Sequence, residues 1–412
     1  MNVIRFLRHG IRAGQLTVID ADGDRHVFGT DQAPRAAIHL HDRRLARELF
    51  FNPWLKTGEA YMDGRLTLEE GSLADFFDII YANEIGLRGQ AWQRMLFRIG
   101  RAWGWIVQHN PIERAMRRVA HHYDLSRQLF QLFLDPSMQY SCAYFTRPDA
   151  SLAEAQQAKL RHVAAKLRLK PGQRVLDIGS GWGSLALHLA REVGVEVLGV
   201  TLSREQLEAA RERVQAAGLA HRVRFELMDY RQVEGPFDRI VSIGMFEHVG
   251  LRHYDQFFAQ ISKLLAPGGV ALLHSIGRAD GPGVTNPWVE KYIFPGGYCP
   301  ALSEVTRAVE RSDLWIADIE ILRLHYAETL KAWRHNFEAN RAAIARLYDE
   351  CFCRMWAYYL AGCEFSFRHR INMVFQMQLC RDAQAVPLTR DYISEAERVR
   401  AQDPAPPITH AA

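Results

Sequence analysis

Long apolar runs, paired cysteines and a strong excess of charge are all missing from this sequence of 412 residues. The sequence contains no stretch of about 18 apolar residues, so no membrane-spanning helix is predicted. A formal net charge of +4 is too mild for a dedicated nucleic-acid-binding protein, so nucleic acid is not an expected partner. The six cysteines show no C-x-x-C spacing, and we interpret them as reduced thiols of a cytoplasmic protein.

Three regions of different character divide the chain, and a tail follows them. Residues 1–87 contain short strand-like runs (LTVID, HVFG, AAIHL), Asp-Gly turns and helical segments, which predict a small α+β domain. Residues 88–120 read as a basic helical linker with Trp92 and Leu96 on an apolar stripe. Such a helix either lies on an anionic lipid surface or buries its stripe within the protein. Residues 384–412, polar and proline-bearing, are predicted to be a tail that is disordered at its end.

Residues 121–383 alternate between strand and helix. The apolar runs of strand length are RVLDIG, VEVLGVT, VRFELMD, DRIVSIG and VALLHSIG. The helical segment SREQLEAARERVQAAG separates two of them and ends at Gly218, a plausible C-cap. This alternation predicts an α/β domain with a mostly parallel sheet covered on both faces.

The segment Asp177–Gly183 (DIGSGWG) follows the first of these strands and opens a helix. Its glycines allow a tight turn and a close approach of the backbone to a ligand. A plain strand-to-helix turn and a dinucleotide site are the alternatives. Two features oppose a dinucleotide site: the spacing is G-x-G-x-G, and the next strand ends without a carboxylate until Glu205. Thr201 and Gln206 offer a hydroxyl and an amide instead.

Several segments, taken together, resemble the cyclopropane fatty acid synthase family, which includes the mycolic acid cyclopropane synthases. They are HHYDLSRQLFQLFLDPSMQYSCAYF, VLDIGSGWG, GVTLSREQ, FDRIVSIGMFEHVG, LLHSIG, YIFPGG and HYAETLKAW. The resemblance implies a Rossmann-like, class I S-adenosylmethionine-dependent methyltransferase domain with a smaller, lipid-associated N-terminal α+β domain. Ser180 stands where cysteine is more common, and the Tyr298–Ala301 segment departs from the family pattern, which bears on acyl-chain preference.

The same resemblance implies two sets of site residues. The S-adenosylmethionine set is Tyr140, Ser141, Gly179, Gly181, Gly183, Thr201, Gln206, Asp229 and Tyr230. The set expected to hold a catalytic bicarbonate is Cys142, Glu247, His274, the backbone of Ile276, and Tyr326. In the family's reaction a methyl group is transferred to an acyl double bond, and bound bicarbonate deprotonates the resulting carbocation so that a cyclopropane ring closes. The alternative reaction is methylation without ring closure, which gives a methyl-branched or methylated unsaturated chain.

Each of these residues also has a structural interpretation. Cys142 can be a small buried apolar residue, and Tyr326 can simply pack at the start of a helix. His274 ends a strand, where open α/β sheets place ligands, but packing explains it equally well. Cys351 and Cys353, two apart on a helix, point to different faces, so no metal site is predicted.

The expected partners are unsaturated phospholipids at the inner membrane surface, with a homodimer implied by the resemblance. Two other classes of function stay open at this point. One is a methyltransferase for a soluble molecule or nucleic acid. The other is a catalytically inactive lipid-binding protein that retains the fold.

Overall fold

The computed structural model describes residues 3–87 and 125–402, so the predicted basic linker lies outside the described residues. The chain divides into two compact units. The described parts of the first are 3–87, 283–295 and 330–372, and those of the second are the remaining residues of 125–402. The predicted domain boundaries stay a prediction.

Strands and helices are numbered along the described chain. The strands are β1 Gln15–Ile19, β2 Arg25–Gly29, β3 Arg35–Leu40, β4 Leu66–Glu70, β5 Arg174–Ile178, β6 Glu196–Thr201, β7 Val223–Leu227, β8 Phe237–Ile243, β9 Leu265–Arg278, β10 Trp315–Ile321 and β11 Asn372–Cys380. The helices are α1 Val3–Gly10, α2 Arg43–Phe51, α3 Pro53–Met62, α4 Leu73–Ala82, α5 Glu84–Leu87, α6 Arg127–Phe133, α7 Leu152–Lys166, α8 Ser184–Val193, α9 Arg204–Ala216, α10 Tyr254–Leu264, α11 Pro287–Tyr292, α12 Leu302–Val309, α13 His325–Ala339, α14 Arg341–Leu347, α15 Glu350–Arg368 and α16 Asp391–Gln402.

The first unit contains a four-stranded sheet in the order β2-β1-β3-β4. Strand β1 is antiparallel to β2 and parallel to β3, and β3 is antiparallel to β4. The three strand-like runs of the sequence form β1, β2 and β3. Strand β4 (LTLEE) was not predicted, because its exposed acidic end hides the apolar alternation.

Helix α15 completes the core of the first unit. Ala361 and Phe365 are buried in the same cluster as Leu16, Ile38 and other apolar residues of the small sheet, and Tyr358 packs against that cluster. The aromatic residues of α15 around residue 358 therefore contribute to the core of this unit.

The second unit is an α/β domain around a seven-stranded sheet in the order β10-β11-β9-β8-β5-β6-β7. Neighbouring strands from β5 to β9 are parallel, and β10 is antiparallel to β11. All five predicted strands and helix α9 are confirmed, with Ser203 capping the helix start and Gly218 at a positive φ after its end.

The region expected to be a tail contains helix α16. Its residue Ile393 is buried, and the Glu397 carboxylate lies 2.6 Å from His162 Nδ1. These long-range contacts cannot be read from a polar local sequence, whereas residues 403–412 lie outside the described part. Among the described helices, none is both long and apolar enough to cross a membrane.

Candidate active site

The carboxyl ends of parallel strands β5, β6 and β8 meet at one edge of the large sheet, where ligands bind in open α/β sheets. A cavity opens there. Eight of the nine predicted S-adenosylmethionine residues line it: Tyr140, Ser141, Gly179, Gly181, Thr201, Gln206, Asp229 and Tyr230.

The glycine loop turns the chain from β5 into helix α8. The N–H groups of Gly179 and Ser180 both donate to Val200 O, at 2.9 and 3.1 Å, which ties the loop to β6. Gly183, the ninth predicted residue, does not line the cavity. It begins α8 at φ +80°, and a Cβ there would lie 2.7 Å from Phe225 Cζ. Its glycine is therefore required by packing and backbone conformation.

The missing carboxylate at the end of β6 is replaced by a local hydrogen-bonded set. The Thr201 hydroxyl donates to Gln206 Oε1 at 3.1 Å and accepts from the Ser203 N–H at 3.2 Å. Gln206 N–H in turn donates to Ser203 Oγ at 3.3 Å. With Oε1 held by Thr201, the Nε2 group of Gln206 is left to serve a ligand hydroxyl in the cavity.

Asp229 follows β7 with its carboxylate already engaged. Arg231 holds it in a bidentate pair, with Nε–Oδ1 and Nη2–Oδ2 distances of 2.7 Å. The Arg231 guanidinium also lies over the Tyr230 ring, which is buried against Phe257. Arg231 was not predicted from the sequence. The local signal for this ion pair is weak, because it consists of a basic residue two positions after an acidic one.

Two further charged residues of the cavity wall were missed, Lys159 and Asp177. Lys159 Nζ donates to Ser141 Oγ at 2.8 Å. Burial lowers the pKa of Lys159 to about 8 and raises that of Asp177 to about 7. In the sequence, Lys159 stands on one helical face with Ala155 and Val163, which indicates that this face is buried but not that it borders a cavity.

Glu247 follows the end of β8 and contacts the backbone of the last part of β9, which contains His274 and Ile276. Because β9 continues to Arg278, His274 lies within the strand and does not end it as expected. Ile243 pairs with His274 in the sheet, and Gly244 N–H donates to His274 O at 2.9 Å. The short helical turn Phe246–His248 then brings Glu247 Oε1 within 2.7 Å of the Ile276 N–H. The backbone group expected to bind bicarbonate is thus already used by Glu247.

The electrostatic state of this group is set by burial. Burial raises the pKa of Glu247 to about 7, opposed by the hydrogen bond from Ile276, and lowers the pKa of His274 well below its usual value. Glu247 Oε2 has no hydrogen-bond partner in the described parts of the chain. Gln376 Nε2 lies 3.1 Å from His274 Nδ1, and as oriented it donates there, which places the imidazole proton on Nε2.

The backbone next to Cys142 is bonded to helix α13, which contains Tyr326. Ala143 N–H donates to Thr329 Oγ1 at 3.0 Å, and Thr329 lies one turn after Tyr326 on the same helical face. Cys142 and Tyr326 are both buried. Burial also raises the pKa of the Cys142 thiol, so it stays protonated at neutral pH.

The sheet order and the glycine loop at the cavity define a class I S-adenosylmethionine-dependent methyltransferase. The family model for mycolic acid cyclopropane synthetase matches residues 110–377, so the chain belongs to this family. A second model, a domain of unknown function (DUF7884), matches residues 7–88. The expected fold class and the resemblance are both confirmed.

Three relatives show how far the similarity extends. The chain is 40% identical to the cyclopropane-fatty-acyl-phospholipid synthase of Escherichia coli K12, over 79% of this chain and 83% of that protein. It is 37% identical to a tuberculostearic acid methyltransferase of Mycobacterium tuberculosis, over 92% of this chain and 90% of that protein. A mycolic acid cyclopropane synthase solved with SAH and CTAB superposes with a TM-score of 0.62 and 35% identity, covering 66% of this chain and 99% of that one.

Proposed function

We propose that this enzyme transfers a methylene group from S-adenosylmethionine to the cis double bond of an unsaturated phospholipid acyl chain, forming a cyclopropane ring. The observation that carries the proposal is that the residues lining the cavity and the predicted catalytic residues all fall within the match to the family model. The Escherichia coli relative, named as a phospholipid enzyme, aligns over 79% of the chain.

The buried residues after β8 and along the last part of β9 suit a reaction that develops positive charge on a hydrocarbon. A neutral His274 avoids the repulsion that an imidazolium would exert on a nearby carbocation. A protonated Cys142 thiol is a far weaker nucleophile than a thiolate and so does not trap the cation. Apolar wall residues such as Met138 and Val249 help to keep water, the other trap, away from the reaction.

The donor set also fits a small oxyanion. Bicarbonate, when bound, would supply the base that takes a proton from the newly added methyl group. His274 Nε2–H and the Tyr326 hydroxyl are the donors that would hold it, together with Glu247 when Oε2 is protonated. Because Glu247 Oε1 occupies the Ile276 N–H, that backbone group would serve an anion only as a shared donor. The unpartnered Glu247 Oε2 supports the assignment, since a buried carboxyl oxygen without a partner is costly.

One observation favours the alternative product. The relative named as a tuberculostearic acid methyltransferase matches 92% of this chain, more than the Escherichia coli enzyme does. The second candidate function is therefore methylation of the acyl double bond without ring closure. Loss of a proton from the carbocation then gives a methylated unsaturated chain, and a methyl-branched saturated chain requires a later reduction by a partner reductase. Both reactions begin with the same methyl transfer and differ in where the proton is removed.

The proposal expects peripheral binding to the inner face of a membrane, because the substrate is a bilayer phospholipid. Cosedimentation with anionic vesicles checks this expectation and separates it from action on a soluble substrate. A homodimer stays a prediction, to be checked by sedimentation velocity.

The deciding experiment incubates the purified protein with vesicles of cis-unsaturated phospholipid and methyl-labelled S-adenosylmethionine. Mass spectrometry and NMR of the released fatty acids identify the product. Cyclopropane methylene protons with loss of the alkene support the proposed reaction. A labelled methyl on an unsaturated or branched chain assigns the alternative, and absence of label from lipid despite cofactor binding rejects both.

A further inference from the structure

The small sheet of the first unit carries two histidines on the face away from its core. Ile38 and Leu40 of β3 are buried in the apolar core, so His39 and His41 share the opposite face of the chain. Their ring centroids lie 4.1 Å apart. The His41 N–H donates to Arg65 O at 3.0 Å, which continues the pairing with β4 past the end of the strand. Two imidazoles therefore stand side by side on a backbone fixed by hydrogen bonds.

A β-bulge in β4 brings a carboxylate to the same place. Two successive residues of β3, Ala37 and Ile38, pair with residues of β4 that are two apart, which makes Glu69 the extra residue between them. Bulges redirect a side chain relative to the regular ladder and are frequent next to functional sites. The Glu69 carboxylate is thereby set beside the two histidines, across the boundary between β3 and β4.

The distances among the three side chains suit a shared metal ion better than direct bonding. Glu69 Oε1 lies 3.7 Å from His39 Nδ1, which is too far for a hydrogen bond. Two ligand atoms of a tetrahedral Zn²⁺ ion, each at about 2.0–2.1 Å from the metal, are about 3.3 Å apart. The ligand atoms of His39, His41 and Glu69 all lie within 4.8 Å of one another, so small side-chain rotations bring them to that spacing.

The Thr67 hydroxyl holds two of these groups in place. It lies 2.8 Å from His41 Nε2 and donates to Glu69 Oε1 at 3.0 Å. Hydrogen bonds of this kind are the usual outer contacts of metal-binding side chains and fix their orientation. Within residues 3–87 and 125–402, no other group of histidine, cysteine and carboxylate ligand atoms meets the same spacing.

We propose that His39, His41 and Glu69 bind a divalent transition-metal ion of the Zn²⁺ type. Two imidazoles and one carboxylate are a common ligand set for Zn²⁺ and other first-row metals, whereas Mg²⁺ and Ca²⁺ prefer oxygen ligands. Three protein ligands leave a coordination position for water. Because none of the three residues lines the cofactor cavity, the role of the ion is to link β3 to β4 and stabilise the small sheet.

The spacing of these histidines shows why the secondary structure decides the matter. Cys351 and Cys353 are also two residues apart, but they lie on helix α15, where such residues point to different faces. On a strand the side-chain period is two, so the same spacing puts both histidines on one face.

Calorimetric titration of the full chain with ZnCl₂, in metal-free buffer without lipid or cofactor, tests this site independently of the proposed reaction. We expect His39→Ala to weaken the tightest Zn²⁺ binding by at least about 100-fold, since even the outer contacts of a metal site contribute about 10- to 100-fold. Zn²⁺ should raise the Tm of the unaltered protein but not that of His39→Ala. Co²⁺ in place of Zn²⁺ should give visible d–d absorption without thiolate charge-transfer bands, because no cysteine is a ligand.

Matched variants from the same sheet identify the ligands. His26→Gln removes a histidine of β2 whose side chain is 27% exposed, against 29% for His39, and should leave the Zn²⁺ affinity unchanged. Glu69→Gln should weaken binding by at least about 10-fold, whereas Glu70→Gln, one residue further on, should not. These side chains are at least partly exposed, so the variants should fold, which circular dichroism of the metal-free proteins checks.

Four results overturn the proposal. They are absence of Zn²⁺ binding by the unaltered protein, unchanged affinity in His39→Ala and Glu69→Gln, an equal loss in His26→Gln, and thiolate bands in the Co²⁺ spectrum. The last of these would assign the metal to cysteine.

Discussion

Buried polar groups are bonded differently in two regions of the molecule. One is the end of β6, with Thr201, Ser203 and Gln206, here called the β6 end. The other is the region after β8 and along the last part of β9, with Glu247 and His274, here called the β8–β9 end. At the end of β6, Thr201, Ser203 and Gln206 bond to one another within a span of six residues, and all of these groups are neutral. At the β8–β9 end, Glu247 is bonded to a residue 29 positions away and His274 to one 102 positions away. There, acceptor atoms of buried side chains are left without a partner among the described residues.

The difference points to two separate tasks, since Thr201 and Gln206 line the cavity whereas Glu247 and His274 do not. A closed set of neutral hydrogen bonds fixes the direction of a side chain cheaply, which suits recognition of a ligand hydroxyl. A buried carboxyl with an unpartnered oxygen costs about 1–3 kcal/mol but keeps a proton available near neutral pH. The β6 end is therefore expected to affect the affinity for the cofactor, and the β8–β9 end to determine kcat.

The strongest way to break this division is to remove the Glu247 side chain. We expect Glu247→Ala to lower kcat by about 100- to 10,000-fold, the usual contribution of a positioned acid or base. The affinity for S-adenosylhomocysteine should stay within about threefold, because Glu247 is not part of the cavity wall. Initial rates with labelled cofactor and vesicles, together with calorimetry, measure both quantities.

Glu247→Gln is the matched variant for this experiment. It keeps the size of the side chain and an amide donor but cannot exchange a proton, so an intermediate rate is expected. Near-normal kcat in Glu247→Ala, in protein with an unchanged Tm, would show that the β8–β9 end does not determine the rate.

The pH dependence of stability sharpens the same contrast. The folded-state pKa of Glu247 is raised to about 7 from 4.5, so the folded protein binds more protons than the unfolded chain between these values. This contribution to stability is fully present below about pH 4.5 and is lost as pH rises through about 7. The loss amounts to about 3 kcal/mol across that window. Urea unfolding from pH 5 to 8 should therefore show Glu247→Gln gaining stability relative to the unaltered protein as pH rises.

Glu234→Gln provides the control for that series. Glu234 is exposed in the folded protein, so its replacement should shift the free energy of unfolding by a similar small amount at every pH. A flat difference for Glu247→Gln as well would contradict the buried, protonated carboxyl described above.

The predictable part of the site follows from local pattern. The β-branched runs specify strands, and the glycines after β5 specify a turn, so the positions of the glycine loop, Thr201 and Gln206 at the carboxyl ends of β5 and β6 could be predicted from sequence. Lys159 was not, because only tertiary packing shows that its helical face borders a cavity. Gln376 was missed for a related reason: strand β11 was not predicted, and its place beside β9 depends on pairing across a long stretch of chain.

Domain composition shows the same limit. Residues 1–87 were predicted to form an α+β domain, but nothing in their sequence predicts that the distant helix α15 contributes Phe365 to the same core. Contacts across such separations depend on the whole fold, whereas sequence periodicity reports only which face of an element is apolar.

The smallest expected effect lies at the β6 end and tests whether Thr201 acts only by orienting Gln206. We expect Gln206→Leu to weaken S-adenosylhomocysteine binding by about 3- to 10-fold, the value of one neutral hydrogen bond, and Thr201→Val by about 2- to 5-fold. Because Thr201 holds Gln206 Oε1 at 3.1 Å, the double variant should bind no more weakly than Gln206→Leu alone. Calorimetry on the four proteins completes the cycle, with Thr201→Ser, which keeps the hydroxyl, as the control. Additive losses would mean that Thr201 contacts the ligand itself, and the β6 end would then contain two independent recognition groups in place of one oriented amide.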